Sequence, residues 1–246
     1  MSLTRLFVDS PLSTGADIRL DQDRARYLGR VLRLRSGDTL SVFNGDDGEF
    51  HAALTKITRD SAVVHVVSSI ETSTESPLKV HLVQGISRGE RMDFVVQKAT
   101  ELGVKRISPV LTEYGMVKLK GDRAAKRRDH WQSVAESACE QSGRIRPPLI
   151  DEVVALNSWF GNRPRASGTD LVLRPDAISS LATIPTPTTK LCLLIGPEGG
   201  FSDSEYEDVQ LAGFQPVSLG PRILRTETAA VAAISIAQSL WGDLGA

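Results

Sequence analysis

The sequence predicts an α/β protein in two parts, a small β-rich N-terminal domain and a larger C-terminal domain built on a mostly parallel sheet. Three observations carry this. Residues 1–70 hold several short β-like runs and one helical pattern. Residues 71–77, Glu-Thr-Ser-Thr-Glu-Ser-Pro, are polar, aperiodic and end in proline, which is the composition of a linker. From residue 78 onward, apolar strand-like runs alternate with amphipathic helical runs. That alternation gives parallel strands covered by helices on both faces. The boundary is placed between residues 72 and 73, giving domains 1–72 and 73–246.

In the first domain, Arg5-Leu6-Phe7-Val8 reads as a short strand. Residues 20–34 read as a helix capped by Asp21, with Tyr27, Leu28, Val31 and Leu32 at helical spacing. Residues 39–57 read as two strands around Asn44-Gly45-Asp46-Asp47-Gly48, a turn of residues that tolerate positive φ. Residues 61–70 form a further strand. Several short strands with one helix suggest a small β-barrel.

In the second domain, residues 78–86 read as a strand. The helix after it puts Met92, Val95, Val96, Ala99 and Leu102 on one face and stops at Gly103. Residues 106–112 are a strand. Residues 127–142 are a helix with Trp131, Val134, Ala138 and Cys139 inward, closed by Gly143. Strands follow at 170–175, 191–195 and 216–219. The last leads through a loop into an alanine-rich helix from Thr226, its expected cap.

The 246 residues are 41% hydrophobic and 24% charged, ordinary for a globular protein. No apolar run reaches the roughly 18 residues of a membrane span, and the start of the chain has no secretory pattern, so a cytoplasmic protein without membrane attachment is expected. Cys139 and Cys192 read as buried free thiols. Neither they nor His51, His65, His81 and His130 stand at metal-ligand spacing, so no metal is expected. The net charge of −1 excludes a globally basic nucleic-acid binder. Two local basic runs remain: Arg24, Arg26, Arg30, Arg33 and Arg35, and then Arg123, Lys126, Arg127 and Arg128. Each is either an RNA contact or a solvated helix face.

Ligands of open parallel sheets sit beyond the carboxyl ends of strands, and three such ends carry unusual loops. Arg174-Pro175 follows Leu173. Gly196-Pro197-Glu198-Gly199-Gly200 follows Ile195 and leads into Ser202 and Glu205, a capping box opening a helix. Gly220-Pro221-Arg222-Ile223-Leu224-Arg225 precedes Thr226. Glycine there lets backbone approach a ligand closely. The chain has neither a phosphate-binding P-loop string nor a dinucleotide fingerprint, which disfavours a nucleotide-dependent oxidoreductase. A carboxylate, Glu198, in the loop suits a neutral or cationic nucleoside better than a polyphosphate.

Ile195–Glu205 together with Leu219–Ala229 resembles the knot region of the SPOUT methyltransferases, among them the RsmE family, which methylates N3 of a uridine in 16S ribosomal RNA. Arg91–Val104 and Ala135–Arg144 resemble further motifs of that family in the same order, and Arg5–Val8 with Val31–Asp38 resembles its PUA-like RNA-binding domain. The resemblance spans nearly the whole chain. It implies a trefoil-knotted C-terminal domain, a homodimer, S-adenosylmethionine as methyl donor, and the small ribosomal subunit or its RNA as partner. The chain departs from the family at Glu113-Tyr114-Gly115-Met116, where a Glu-Arg-Ser-like string is usual, and at Tyr27, where His is frequent.

On this footing, Arg225 is expected to stabilise charge developing on the uracil carbonyls, with Arg222 as second candidate, and Glu198 to accept the proton or to bond the cofactor. Cofactor contacts, largely through backbone, are expected from Leu173, Leu194, Gly196, Gly199, Leu219 and Leu224, with apolar side chains there sandwiching the adenine. RNA contacts are expected from Arg24, Arg26, Arg30, Arg33 and Arg144. The rival readings are a SPOUT enzyme acting on transfer RNA and a non-catalytic RNA-binding or ribosome assembly protein.

Overall fold

The computed structural model describes residues 3–71, 73–163, 168–187 and 190–245. The chain divides into two compact units. The first is Met1–Glu75 with Cys139–Pro147, and the second is Ser76–Ala138 with Pro148–Ala246.

The first unit contains β1 (Arg5–Phe7), β2 (Asp17–Leu20), α1 (Gln22–Arg26), β3 (Thr39–Phe43), β4 (Glu49–Ile57) and β5 (Ala62–Ile70). They make one sheet in the order β1-β3-β4-β5-β2, antiparallel except for β1 against β3. Bulges in the β4–β5 ladder at His51/Ala52 and Leu54/Lys56 add local twist and bend, and this curls the sheet around Leu6, Leu28, Leu40, Leu54 and Val64. Asn44 Oδ1 closes the β3–β4 turn by accepting from the N–H groups of Asp46 and Asp47. Asp21 caps α1 as expected, through Arg24 N–H at 2.8 Å. The helix, however, is not continuous to residue 34. Tyr27–Val31 is a wider π-turn, closed by Leu32 N–H on Tyr27 O. Residues 139–147 are held in this unit by Arg5, which donates to both oxygens of Glu49 at 2.8 and 3.1 Å and to Arg144 O at 3.0 Å.

The second unit contains β6 (Lys79–Gly85), α2 (Arg91–Glu101), β7 (Arg106–Leu111), most of α3 (Asp122–Ser142), β8 (Leu149–Ile150), β9 (Val154–Ala155), α4 (Leu156–Asn162), β10 (Thr169–Leu173), β11 (Lys190–Ile195), α5 (Asp203–Leu211), β12 (Gln215–Val217) and α6 (Thr226–Trp241). Its strands run β12-β10-β11-β6-β7-β8, with β9 also on β7, and every pairing is parallel. β11 enters between β6 and β10, strands that precede it in the chain.

The period of two along β11 assigns its side chains. Leu191, Leu193 and Ile195 pack with Met92, Val96, Ala233 and Ile234 of α2 and α6. Cys192 and Leu194 pack on the other face with Leu156, Trp159 and Val209 of α4 and α5. The buried side of α2 is the expected one, and Gly103 ends it at φ 85°. Both cysteines are free and buried, and burial pushes the Cys192 thiol up to about 12. Among the described residues no helix is long and apolar enough to cross a membrane.

Candidate active site

β11, β10 and β12 end on one side of the second sheet, and the loops that leave them line a cleft of about 580 Å³. The β11 loop is set by the capping box legible in the sequence. Ser202 Oγ accepts from Glu205 N–H at 3.3 Å, and Glu205 accepts from Ser202 N–H at 2.9 Å. The second oxygen of Glu205 accepts from Glu113 N–H at 2.8 Å, which ties the loop after β7 to the loop after β11. Gly199 is explained by the same junction. A Cβ there would lie 2.7 Å from Tyr114 O and 3.0 Å from Tyr114 Cβ, so only glycine lets the two loops meet without a shift.

α6 starts at the cleft. Its N-cap residue is Arg225, extended at φ −64° and ψ 150°, and no side-chain cap hydrogen bond is made among the described residues. The expectation that Thr226 is the cap is corrected. The bend into the helix falls one residue earlier, and the Thr226 hydroxyl instead donates to Gly196 O at 2.6 Å and accepts from Gln84 Nε2 at 2.9 Å. Thr226 therefore fastens the helix start to the glycine-rich loop. The uncapped N–H groups of α6 leave a partial positive charge at the cleft wall.

Charged groups on the wall fall into two sets. Glu198 is paired with Arg91 Nη1 and accepts from Arg88 N–H at 3.2 Å, and Arg91 Nε lies 3.8 Å from Glu227 Oε1. Partial burial works to raise the Glu198 pKa. Hydrogen bonds from its own backbone, the Arg91 guanidinium and Arg88 N–H outweigh it and hold the carboxyl below its ordinary value. Glu227 Oε2 is buried without a hydrogen-bond partner among the described residues. The second set is Arg222 and Arg225, which line the cleft, are exposed and have no ion pair or side-chain hydrogen bond among the described residues. Beside them Arg174 is held by Asp176 at 2.6 and 3.0 Å and lies over the Tyr206 ring, 4.8 Å from its centroid.

The cleft thus gathers Leu173, Gly196, Glu198, Leu219, Leu224 and Arg225. Leu194 is not among them. It is fully buried on the opposite face, and Ile195, one residue on and of opposite phase, reaches the cleft. Gly199 packs on Tyr114 rather than on the cleft.

The expected RNA contacts fare unevenly as a set. Arg144 is 2% exposed and bound to Glu75 at 2.9 Å, so its guanidinium holds residues 139–147 and is closed to a ligand. Arg24 is paired with Glu140 at 3.0 Å. Arg30 and Arg33 are exposed and Arg26 is half-buried, but the π-turn and the left-handed Arg33 (φ 57°) prevent the four from sharing the face of a single α-helix. Sequence reasoning missed Arg91, Tyr206 and the tie made by Thr226. Arg91 follows the carboxyl end of β6, so the strand-end rule that found the other loops extends to it.

Comparison with known proteins agrees with this geometry. A family model described as an RNA methyltransferase domain matches residues 74–238, and one described as an RNA methyltransferase PUA domain matches residues 20–67. The chain is 36% identical to ribosomal RNA small subunit methyltransferase E of Buchnera aphidicola subsp. Schizaphis graminum, over 98% of both chains. It is 28% identical to the protein of that name from Bacillus subtilis, over 87% of this chain and 86% of the other. A structure of a putative methyltransferase from Legionella pneumophila with bound cofactor SAM matches with a TM-score of 0.93 and 39% identity, over 99% of this chain and 100% of the other. The small subunit methyltransferase E of Neisseria gonorrhoeae bound to S-adenosyl methionine matches with 0.91 and 38%, over 98% and 99%. The chain belongs to the ribosomal RNA small subunit methyltransferase E family of RNA methyltransferases.

Proposed function

We propose that this protein transfers the methyl group of S-adenosylmethionine to N3 of a specific uridine in 16S ribosomal RNA of the small ribosomal subunit. In this reading it works in the cytoplasm as a homodimer. Residues 1–72 hold RNA, and a trefoil-knotted domain of residues 73–246 carries the chemistry.

The cleft fits the cofactor. Its size is within the range of small-molecule sites, roughly 300–1,000 Å³. Leu173, Leu219 and Leu224 offer apolar surface to a flat base. The partnerless Glu227 oxygen suits a donor or cationic group, because a buried acceptor left empty is costly. When bound, S-adenosylmethionine supplies an activated methyl group.

Uracil N3 carries a proton and is a poor nucleophile until, in this reading, solvent water at the open cleft takes that proton. Its loss spreads negative charge onto the flanking carbonyl oxygens, and donors aimed there lower the barrier. Arg225 carries this reading. It is a guanidinium with no partner among the described residues, exposed on the cleft wall at the N-cap of α6. Arg222 stands beside it in the same loop. Glu198 has a different role. Paired with Arg91 and kept ionised, it is a weak base, and its work is to hold the β11 loop against the start of α2. Arg26, Arg30 and Arg33 remain for phosphate contact in the first unit.

The test is methyl transfer by purified protein to small subunits and to naked 16S RNA from a strain lacking the enzyme, with the product mapped by mass. One methyl on N3 of a single 16S uridine is expected. Transfer to transfer RNA alone, or cofactor binding without any transfer, overturns the reading.

A further inference from the structure

The second unit carries a basic stripe that the cleft does not use. Lys118, Lys120, Arg123 and Lys126 are exposed and have no ion-pair partner among the described residues, and Arg88 is exposed with an equally unpaired side chain. From residue 114 through residue 128 the chain has six Lys or Arg and one acidic residue, Asp122. Surface lysines and arginines ordinarily alternate with carboxylates, so this imbalance requires an explanation.

The stripe is anchored to the cleft at two points. At one end, Tyr114 backbone lies against Gly199 of the β11 loop, and Glu205 holds Glu113 N–H. The basic segment that begins there runs directly into α3. On α3, Arg127 donates to Gly89 O at 3.3 Å. Gly89 belongs to the Arg88–Arg91 loop, whose Arg88 N–H and Arg91 guanidinium hold Glu198 on the cleft wall. Arg123 and Arg127 are four apart and Arg123 and Lys126 three apart, so they share one helix face. The face of Ala124, Ala125 and Arg128 borders Glu152 and Val153 instead, and Trp131 and Ala135 enter the core. The stripe is therefore the solvent side of α3 and of the segment leading to it, and it is tied at two points to loops that also border the cleft.

We infer that Lys118, Lys120, Arg123 and Lys126, continued by Arg88, form a track for the phosphate backbone of the substrate RNA, leading the strand to the cleft. The inference rests on the methyl-transfer reading and adds a second RNA surface to the arginines of the first unit. The chemistry is charge neutralisation along a polyanion, which positions a strand without reading its bases. A single cleft cannot by itself hold a flexible strand in register. A line of unpaired cations tied to the loops around it can.

The experiment replaces all four with glutamine in the full chain (Lys118→Gln, Lys120→Gln, Arg123→Gln, Lys126→Gln) and measures affinity for a 16S fragment across a salt series. S-adenosylmethionine binding is measured in parallel by calorimetry. RNA affinity should fall at least tenfold at low salt. The slope of log affinity against log salt should flatten by roughly 0.7 for each single-strand phosphate no longer neutralised. Cofactor affinity should stay within twofold, which also shows that the variant is folded. A second variant that keeps the charge (Lys118→Arg, Lys120→Arg, Lys126→Arg) should keep the slope. If the wild type binds RNA and the glutamine variant has the same slope and affinity, the track is overturned while methyl transfer stands. If the wild type binds no RNA, both fall together.

Discussion

The parallel sheet of the second unit carries a cavity at each end, and the two are nearly equal in size, about 580 Å³ at the carboxyl ends of the strands and about 570 Å³ at the amino ends. Both are lined by arginines and carboxylates. They differ in how those charges are used. At the amino end, Arg106 is bound to Asp151 at 2.8 Å, Arg163 to Asp170, and Arg163 also lies over Trp159 and Phe214. His81 is held neutral there: burial, and then the Arg106 charge, bring its pKa down to about 4. At the carboxyl end Arg222 and Arg225 have no partner among the described residues, and the α6 N-terminus has no side-chain cap. Volume does not distinguish a site from a gap between elements. Exposed, unpaired guanidinium groups do: the amino end keeps both of its arginines paired, although Lys79 on its wall has no ion-pair partner among the described residues.

The largest expected effect tests that difference directly. Arg225→Ala should slow single-turnover methyl transfer, at saturating RNA and cofactor, by roughly 100-fold or more, the scale for losing one donor to a developing oxyanion. Arg225→Lys should recover only part, since an ammonium lacks the planar fork. Arg163→Ala at the other end should leave that rate within about twofold. It should instead lower stability by about 3 kcal/mol, the scale for stranding a buried charge such as Asp170, read from the denaturant midpoint. A near-wild-type rate for Arg225→Ala would erase the distinction and return Arg225 to RNA binding.

The next effect is set by His81. Its Nε2 is 2.7 Å from Ser108 Oγ, and the Ser108 proton is directed to Asp151, so Nε2 carries a proton and donates it to Ser108. A folded-state pKa near 4, against about 6.5 unfolded, means that the unfolded chain binds more protons between those values. Stability conferred by the neutral ring is complete above about pH 6.5 and is lost as pH falls toward about 4. The loss is on the order of 2 kcal/mol, after allowing for the quarter of the side chain that remains exposed. Denaturation midpoints from pH 7 to pH 4 measure it, and a His81→Gln variant should lose that part of the slope. An identical slope in the variant would place the acid sensitivity elsewhere.

The two ends also show what a sequence can tell. The capping box of Ser202 and Glu205, the buried face of α2 and the glycine loops are legible, because each is a local pattern of three to eleven residues. The phase of β11 is not. A continuous apolar run does not say which residue faces which layer, and it is the structure that turns the Leu194 side chain away from the cleft and the Ile195 side chain toward it. β8, β9 and α4 carry too few residues for a period to emerge. Arg144, in a run of polar residues, looks available. Its partner Glu75 lies 69 residues away, and no local pattern announces such a pair. Arg91 reaches Glu198 across 107 residues, through a strand order in which β11 enters beside β6. Long-range pairing of this kind follows from topology, and the topology comes from resemblance rather than from periodicity.

A smaller effect concerns the tie between α6 and the glycine loop. Thr226→Val keeps the shape but removes the hydroxyl, leaving Gly196 O and Gln84 Nε2 short of a partner. Calorimetry should show S-adenosylmethionine affinity falling about tenfold, or about 1.4 kcal/mol, through displacement of the loop. Gly199→Ala should act in the same direction, because its new Cβ meets Tyr114 rather than the ligand. Unchanged affinity in both folded variants would mean that the loop does not need this support.

The smallest expected effect is at Glu198, and it separates a proton acceptor from a structural anion. Its carboxyl is held below its ordinary pKa by hydrogen bonds that outweigh partial burial, with Arg91 and Arg88 N–H among the donors. A base works best when its pKa lies near the working pH, and this one is ionised well below it. Glu198→Gln removes the charge but keeps a carbonyl oxygen for Arg91 and Arg88. Methyl transfer should slow by no more than about threefold, and the pH–rate profile above about pH 5.5 should keep its shape. Arg91→Ala should be the more damaging of the pair, because it releases Glu198 and Glu227 together. If Glu198→Gln instead slows transfer a hundredfold and abolishes an ascending limb in the profile, Glu198 is the group that takes the N3 proton. The paired charges of the carboxyl-end cleft would then join its unpaired ones in the chemistry.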